Sequence, residues 1–161
     1  MKVLVDTNVW LDLILHRAPF EEDSKGCLMA CVEESIDLCV AATSLKDVFY
    51  ITSKCLDADR AYEAVRLVLE ISNAASVDDL VCRNALELEK PDYEDGIIAA
   101  AAVADKVDAI VSRDVDASSN ILVTRGGASK PAVECDSSRQ ARRIAPGRRA
   151  PAHALWCLPP W

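Results

Sequence analysis

Short apolar runs alternate with longer stretches of helical periodicity throughout residues 1–124 of this 161-residue chain. Val3-Leu4-Val5 reads as a strand, and Asn8 to Leu15 begins a helix. Phe20 to Glu34 sets Cys27, Leu28, Cys31 and Val32 at helical spacing against a charged face. Ile36 to Ala41 is strand-like, and Ser44 to Lys54 and Ala58 to Ser72 read as helices. A short strand is expected at Ala75 to Val77, then a helix at Val81 to Leu88 and an alanine-rich one at Asp92 to Asp105. Ala109-Ile110-Val111 and Ile121-Leu122-Val123 complete the pattern as strands. Strands this uniformly apolar are buried on both faces, which requires helices above and below a parallel sheet. The expected fold is therefore a three-layer α/β/α domain around a central, mainly parallel sheet. No G-x-G-x-x-G or P-loop follows any strand, so nucleotide cradling by glycine is not expected.

The length suits one domain with a single core. No apolar run approaches the roughly 18 residues of a membrane span, and no signal-peptide pattern opens the chain. A soluble cytoplasmic protein without a membrane partner is expected. Cys27, Cys31, Cys39, Cys55, Cys82, Cys135 and Cys157 include no C-x-x-C pair. Four of them (Cys27, Cys31, Cys39 and Cys82) fall in apolar stretches, which points to buried reduced thiols rather than disulfides or zinc. His16 and His153, the only histidines, read as loop residues and supply little for His-based chemistry.

Charge divides the chain. Residues 1–124 hold 11 Lys+Arg and 24 Asp+Glu, a net of −13, whereas residues 125–161 hold 7 and 2, a net of +5; together they give the overall −8. The second segment has five prolines, no strand alternation and no sustained helical stripe. It reads as an irregular basic tail, a disordered extension, on an acidic folded domain. Its Arg142, Arg143, Arg148 and Arg149 give only a weak signal of RNA attraction.

The acids of the folded part recur at one kind of place. Asp6 follows the first strand directly, and Asp47 comes in the first turn after another. Asp92, Glu94 and Asp95 open the alanine-rich helix, and Asp114 stands just past the strand Ala109–Val111. In a parallel α/β sheet, strand C-termini and the following helix N-termini share one edge, where such folds place their sites. That edge would gather Asp6, Asp47, Asp95 and Asp114. Taken singly, each acid has an ordinary explanation: Ser44 with Asp47 makes a capping box, Asp92 with Asp95 an acidic variant, and Asp6 or Asp114 favours a helix dipole. Together they repel, since two charges about 4 Å apart cost roughly 4 kcal/mol at an effective dielectric of 20. A divalent cation turns that repulsion into binding, and all-oxygen ligands suit Mg²⁺ or Mn²⁺. Such an ion keeps waters, accepts phosphate oxygens and activates a water, which fits in-line hydrolysis of a phosphodiester. Glu87, Glu89 and Glu94 are expected on a solvated face, and Lys46 and Arg113, which flank the site, are expected at the solvated surface.

VLVDTNVWLDLIL, ATSLKDVFYI, YEDGIIAAAA and AIVSRDVDA, in this order and spacing, resemble the four motif regions of PIN-domain proteins, most of all the VapC-like ribonuclease toxins. The resemblance covers about residues 1–124. It implies a PIN fold, metal-dependent cleavage of single-stranded RNA with Mg²⁺ or Mn²⁺, a homodimer and a small antitoxin partner. By position it assigns the acids of the site, both catalytic and metal-binding, to Asp6, Asp47, Asp95 and Asp114. Asn8 and Ser112 match supporting polar positions, and Asp116 is the substitute where Asp114 points away. The family more often has glutamate at the position of Asp47. Relatives end in a short acidic helix, whereas here Thr124 is followed by Arg-Gly-Gly, the kind of change that a reading-frame shift or an unrelated extension produces. The implied antitoxin groove would lie beside Asp6 and use residues such as Val9, Trp10, Leu13 and Phe20.

Two other readings compete. A strand followed by Asp-x-Asn is similar to the start of haloacid-dehalogenase phosphatases, whose first Asp is a covalent nucleophile. Those enzymes carry a second Asp two residues on, where this chain has Asn8, and no lysine motif intervenes. A non-catalytic PIN-like module that binds RNA or protein is the third reading, and the presence of all four acids speaks against it.

Overall fold

The computed structural model describes residues 1–88 and 92–113, together with the backbone of strands at 122–125 and 133–134. In chain order the elements are β1 (Lys2–Val5), α1 (Thr7–Ile14), α2 (Glu21–Glu33), β2 (Asp37–Ala41), α3 (Ala42–Cys55) and α4 (Ala58–Ile71). They continue with β3 (Asn73–Ala75), α5 (Asp79–Leu86), α6 (Tyr93–Ala104), β4 (Ala109–Ser112), β5 (Leu122–Arg125) and β6 (Val133–Glu134). The strands form one 6-stranded sheet in the order β3-β2-β1-β4-β5-β6. β3, β2, β1 and β4 run parallel, and β5 and β6 add antiparallel. The two-residue β6 lies within the segment that reads as an irregular tail.

Alternation along each strand builds the layers, because successive side chains point to opposite faces. Val3, Val5, Leu38, Val40, Ala109 and Val111 join one buried cluster with residues of α1, α2, α3 and α4. Leu4, Cys39, Ala41 and Ala75 join the other with α5 and α6. Helices thus cover both faces, and the α/β/α architecture expected from the apolar strands is the one observed. Among the described residues no helix is long and apolar enough to cross a membrane. Cys31 and Cys39 are buried, Cys27 and Cys82 half-buried, and Cys55 exposed; all five are free thiols.

Helix α1 is more deeply placed than its periodicity suggested. Val9, Trp10 and Leu13 belong to the core, with Trp10 fully buried, so they cannot line a surface groove beside Asp6. Two expected boundaries also shift. The short strand after α4 is Asn73–Ala75 rather than Ala75–Val77, and α3 starts at Ala42, immediately after β2.

Candidate active site

The sheet order sets the place of the site. From β1 the chain proceeds outward to β2 and β3, then returns through α5 and α6 to β4 on the other side of β1. The C-terminal ends of β1 and β4 therefore form the switch point at which open α/β sheets bind ligands. Val5 pairs with Val111 there, and the Asp6 amide donates to the Val111 carbonyl at 2.9 Å.

Asp6 occupies the N-cap position of α1 with extended backbone, yet its side chain makes no capping hydrogen bond. It is buried, and the Ser112 hydroxyl donates to its Oδ2 at 2.7 Å. Thr7 Oγ1, one residue on, is buried without a hydrogen-bond partner among the described residues. Asn8 is half-buried in the first turn of α1.

Asp47 stands in the second turn of α3 rather than the first, because the helix begins at Ala42. The capping box expected from Ser44 and Asp47 does not form: the N-cap is Ala41, and Ser44 is buried inside the helix. Asp47 is partly buried and pairs with Lys46, whose Nζ lies 2.8 Å from Oδ1; Lys46 itself is exposed, as expected. Asp92 caps α6 by accepting from the Glu94 amide at 2.9 Å, which leaves Asp95 exposed in the first turn beside Glu94.

Glu94 reveals how these acids lie. Its carboxyl is held above the usual range, first by partial burial, then by the charges of Asp47, Asp92 and Asp6, against the opposing pull of Lys46. Acids from α1, α3 and α6 therefore share one electrostatic neighbourhood. The sequence reading placed Glu94 on a solvated face; it is exposed, but it belongs to the acidic edge. Its position one residue before Asp95 was the only signal available.

Arg113 also departs from expectation. Rather than a solvated surface residue, it is a partly buried one whose Nη1 donates to the buried Asp12 at 2.7 Å. Asp114 and Asp116 lie outside the described residues, and with them the fourth acidic position.

The oxygen-only donors at this edge fit Mg²⁺ or Mn²⁺ in kind. Among the described residues no three carboxylates, histidines or cysteines are grouped closely enough to hold a metal ion by themselves.

The PIN domain family model matches residues 2–116, a span that includes Asp6, Asp47, Asp95, Asp114 and Asp116. Among solved structures the chain is similar to VapC20 of Mycobacterium tuberculosis, a sarcin–ricin-loop-cleaving toxin. The TM-score is 0.60 at 16% identity, covering 71% of this chain and 91% of that one. It is similar to VapBC2 of Rickettsia felis bound to a promoter DNA fragment, with a TM-score of 0.57 at 15% identity over 71% and 89% of the two chains. A toxin–antitoxin complex from Klebsiella pneumoniae gives 0.56 at 20% identity over 71% and 88%. At these identities the likeness is one of fold. No curated protein matches the chain significantly in sequence.

Proposed function

Because this chain belongs to the PIN-domain family, we propose that it is a metal-dependent ribonuclease that hydrolyses phosphodiester bonds of single-stranded RNA as the toxin of a toxin–antitoxin pair. The observation that carries the reading is the PIN-domain match over residues 2–116, and the hydrogen bond from Ser112 to the buried Asp6 at the switch point of the sheet supports it. Asp6, Asp47, Asp95 and Asp114 would hold Mg²⁺ or Mn²⁺, with Asp116 the substitute for Asp114. The ion supplies an activated water and a counter-charge for phosphate oxygens.

The chain's own residues prepare the site. Burial removes water from Asp6, and the Ser112 hydroxyl fixes one of its oxygens, so the carboxylate is oriented before any ligand arrives. Asp95, in the first turn of α6, presents its carboxylate at a helix N-terminus, where the dipole favours the ionised form. Lys46, exposed beside Asp47, is placed to meet a phosphate once Asp47 turns to a cation. An acidic domain repels RNA at long range, so this local cation and the metal must supply the attraction.

The catalytic domain is assigned to residues 1–124; the basic segment 125–161 contributes the end of β5 and the strand β6 to the same sheet, and no site residue is assigned to it. The neighbours of known structure include toxin–antitoxin complexes, which supports an antitoxin partner here; a homodimer acting on cytoplasmic RNA completes the reading.

The decisive assay is purified protein on mixed RNAs with Mg²⁺ or Mn²⁺ against a chelator control. Asp6→Asn and Asp95→Asn are expected to abolish metal-dependent cleavage while the fold persists, slightly stabilised by relief of like-charge repulsion. Wild-type cleavage by both variants would assign the activity elsewhere.

A further inference from the structure

Asp12 is fully buried in α1. An unpaired carboxylate there would be expensive, and the surroundings answer the cost. Arg113 Nη1 donates to Oδ1 at 2.7 Å, and the Ser24 hydroxyl of α2 donates to Oδ2 at 3.2 Å. The guanidinium of Arg113 lies over the ring of Phe20, 4.2 Å from its centroid, at the start of α2. Three parts of the chain meet at this one side chain: α1, α2 and the residue that leaves β4.

Stability alone is a weak reason for such a pair. Buried ion pairs replaced by apolar side chains of similar volume often leave a protein as stable or more so. The pair supplies direction instead. A planar fork held at one edge by a carboxylate and on one face by a ring has little freedom, and the backbone that carries it shares that restraint. The residue before Arg113 is Ser112, whose hydroxyl orients the carboxylate of Asp6.

We propose that Asp12 and Arg113 are positioning residues: their buried ion pair, covered by Phe20, fixes the end of β4 so that Ser112 holds Asp6 in its metal-ready orientation. Its functional consequence rests on the nuclease reading above, whereas the restraint on β4 does not.

Three variants test the idea: Arg113→Met, Asp12→Leu with Arg113→Met, and Arg113→Lys. Removing Arg113 alone strands a buried carboxylate and should lower Tm, and removing both charges should return Tm close to wild type. A pair that merely stabilised the fold would recover its other properties at the same time. The expectation is that they do not recover. In the double variant, Mn²⁺ affinity by calorimetry stays about 10-fold weaker, as for lost outer-shell support of a metal ligand. The Asp6 amide, which donates to the Val111 carbonyl, exchanges faster with solvent. Cleavage falls in kcat at nearly constant KM. Arg113→Lys keeps the charge but loses the planar contact with Phe20, so its Mn²⁺ affinity should lie between wild type and the double variant. Wild-type Mn²⁺ affinity and Asp6 exchange in the folded double variant would overturn the proposal. If the double variant does not fold, wild-type affinity in Arg113→Lys overturns it equally. Failure of the nuclease reading is distinguishable, because the wild type itself would then neither bind Mn²⁺ nor cut RNA, while amide exchange would still report on the restraint.

Discussion

Gly96→Ala tests how tightly the helix bearing Asp95 is seated. Gly96 is buried in α6, one residue beyond Asp95, and faces α5. A Cβ at this position would stand 3.0 Å from the carbonyl oxygen of Ala85 and 3.5 Å from its Cβ. The nearer atom is backbone, so relief requires α5 and α6 to part by a few tenths of an ångström. Alanine gains about 1 kcal/mol in helix propensity over glycine. Overpacking of a close contact costs about 1–3 kcal/mol. Taking the middle of that range, the net effect is a loss of about 1 kcal/mol. For a domain of this size that lowers Tm by about 3–6 °C. Well below Tm the variant stays almost wholly folded, yet the start of α6, with Glu94 and Asp95, has moved. Misplacement of that order should reduce cleavage by about 10-fold. The assay pairs a thermal melt followed by circular dichroism with Mn²⁺-dependent RNA cleavage at 25 °C. A variant more stable than wild type that cleaves normally would refute the reasoning, since it would mean that α5 leaves room for the methyl group.

Thr52 Oγ1 is buried without a hydrogen-bond partner among the described residues, so Thr52→Val, which keeps the β-branched shape, should stabilise by about 1 kcal/mol, read as a rise in Tm. Glu94 has a raised folded-state pKa, mainly from burial and then from Asp47, Asp92 and Asp6, so the folded protein holds this proton to higher pH than the unfolded chain does. Its contribution to stability is complete below the ordinary glutamate value of 4.5 and lost as pH rises through the folded value; in chelator, the Tm of Glu94→Gln minus that of wild type should therefore grow with pH from 4.5 upward, and added Mg²⁺ should shrink the difference. A flat difference would remove Glu94 from the acidic edge. Lys2 has a raised pKa, chiefly through its hydrogen bond to Asp105, so its stabilising effect is full below 10.5 and lost above; the Tm deficit of Lys2→Met should persist to that pH and close beyond it.

The layers were legible because they depend on local patterns. Three consecutive apolar residues in β1 divide between the two cores, Val3 and Val5 to one and Leu4 to the other, and only a sheet covered on both faces buries all three. Helix boundaries were less legible because several lack the usual markers. The left-handed residues just after α1, α2 and α6 are His16, Ser35 and Lys106, with φ of 50°, 54° and 54°, where glycine would have signalled the end. Helix α3 begins on Ala42 without a side-chain cap, so the sequence pointed to Ser44 instead. The Asp12–Arg113 pair spans 101 positions and has no local signature at all. Along α1, Asp12 looks like one polar residue on a helix, and only the packing of α2 and the end of β4 makes it a buried one.

Among the described residues four aspartates hold N-cap positions, and one of them behaves differently from the rest. Asp57, Asp78 and Asp92 accept from the amides of Arg60, Val81 and Glu94 at 2.8, 2.9 and 2.9 Å, as capping requires. Asp6 has the same extended backbone at the start of α1 but makes no capping bond. A lost cap forgoes about 1 kcal/mol, and burying the same carboxylate among other acids adds to the cost. The chain accepts both at this one position, and spends a serine hydroxyl from a strand 106 residues away to orient the carboxylate there. In sequence Asp6 and Asp92 look alike, each just before or at the start of an expected helix. The missing cap and the hydroxyl of Ser112 are what set Asp6 apart from the other three, and they are consistent with the role proposed for it at the site.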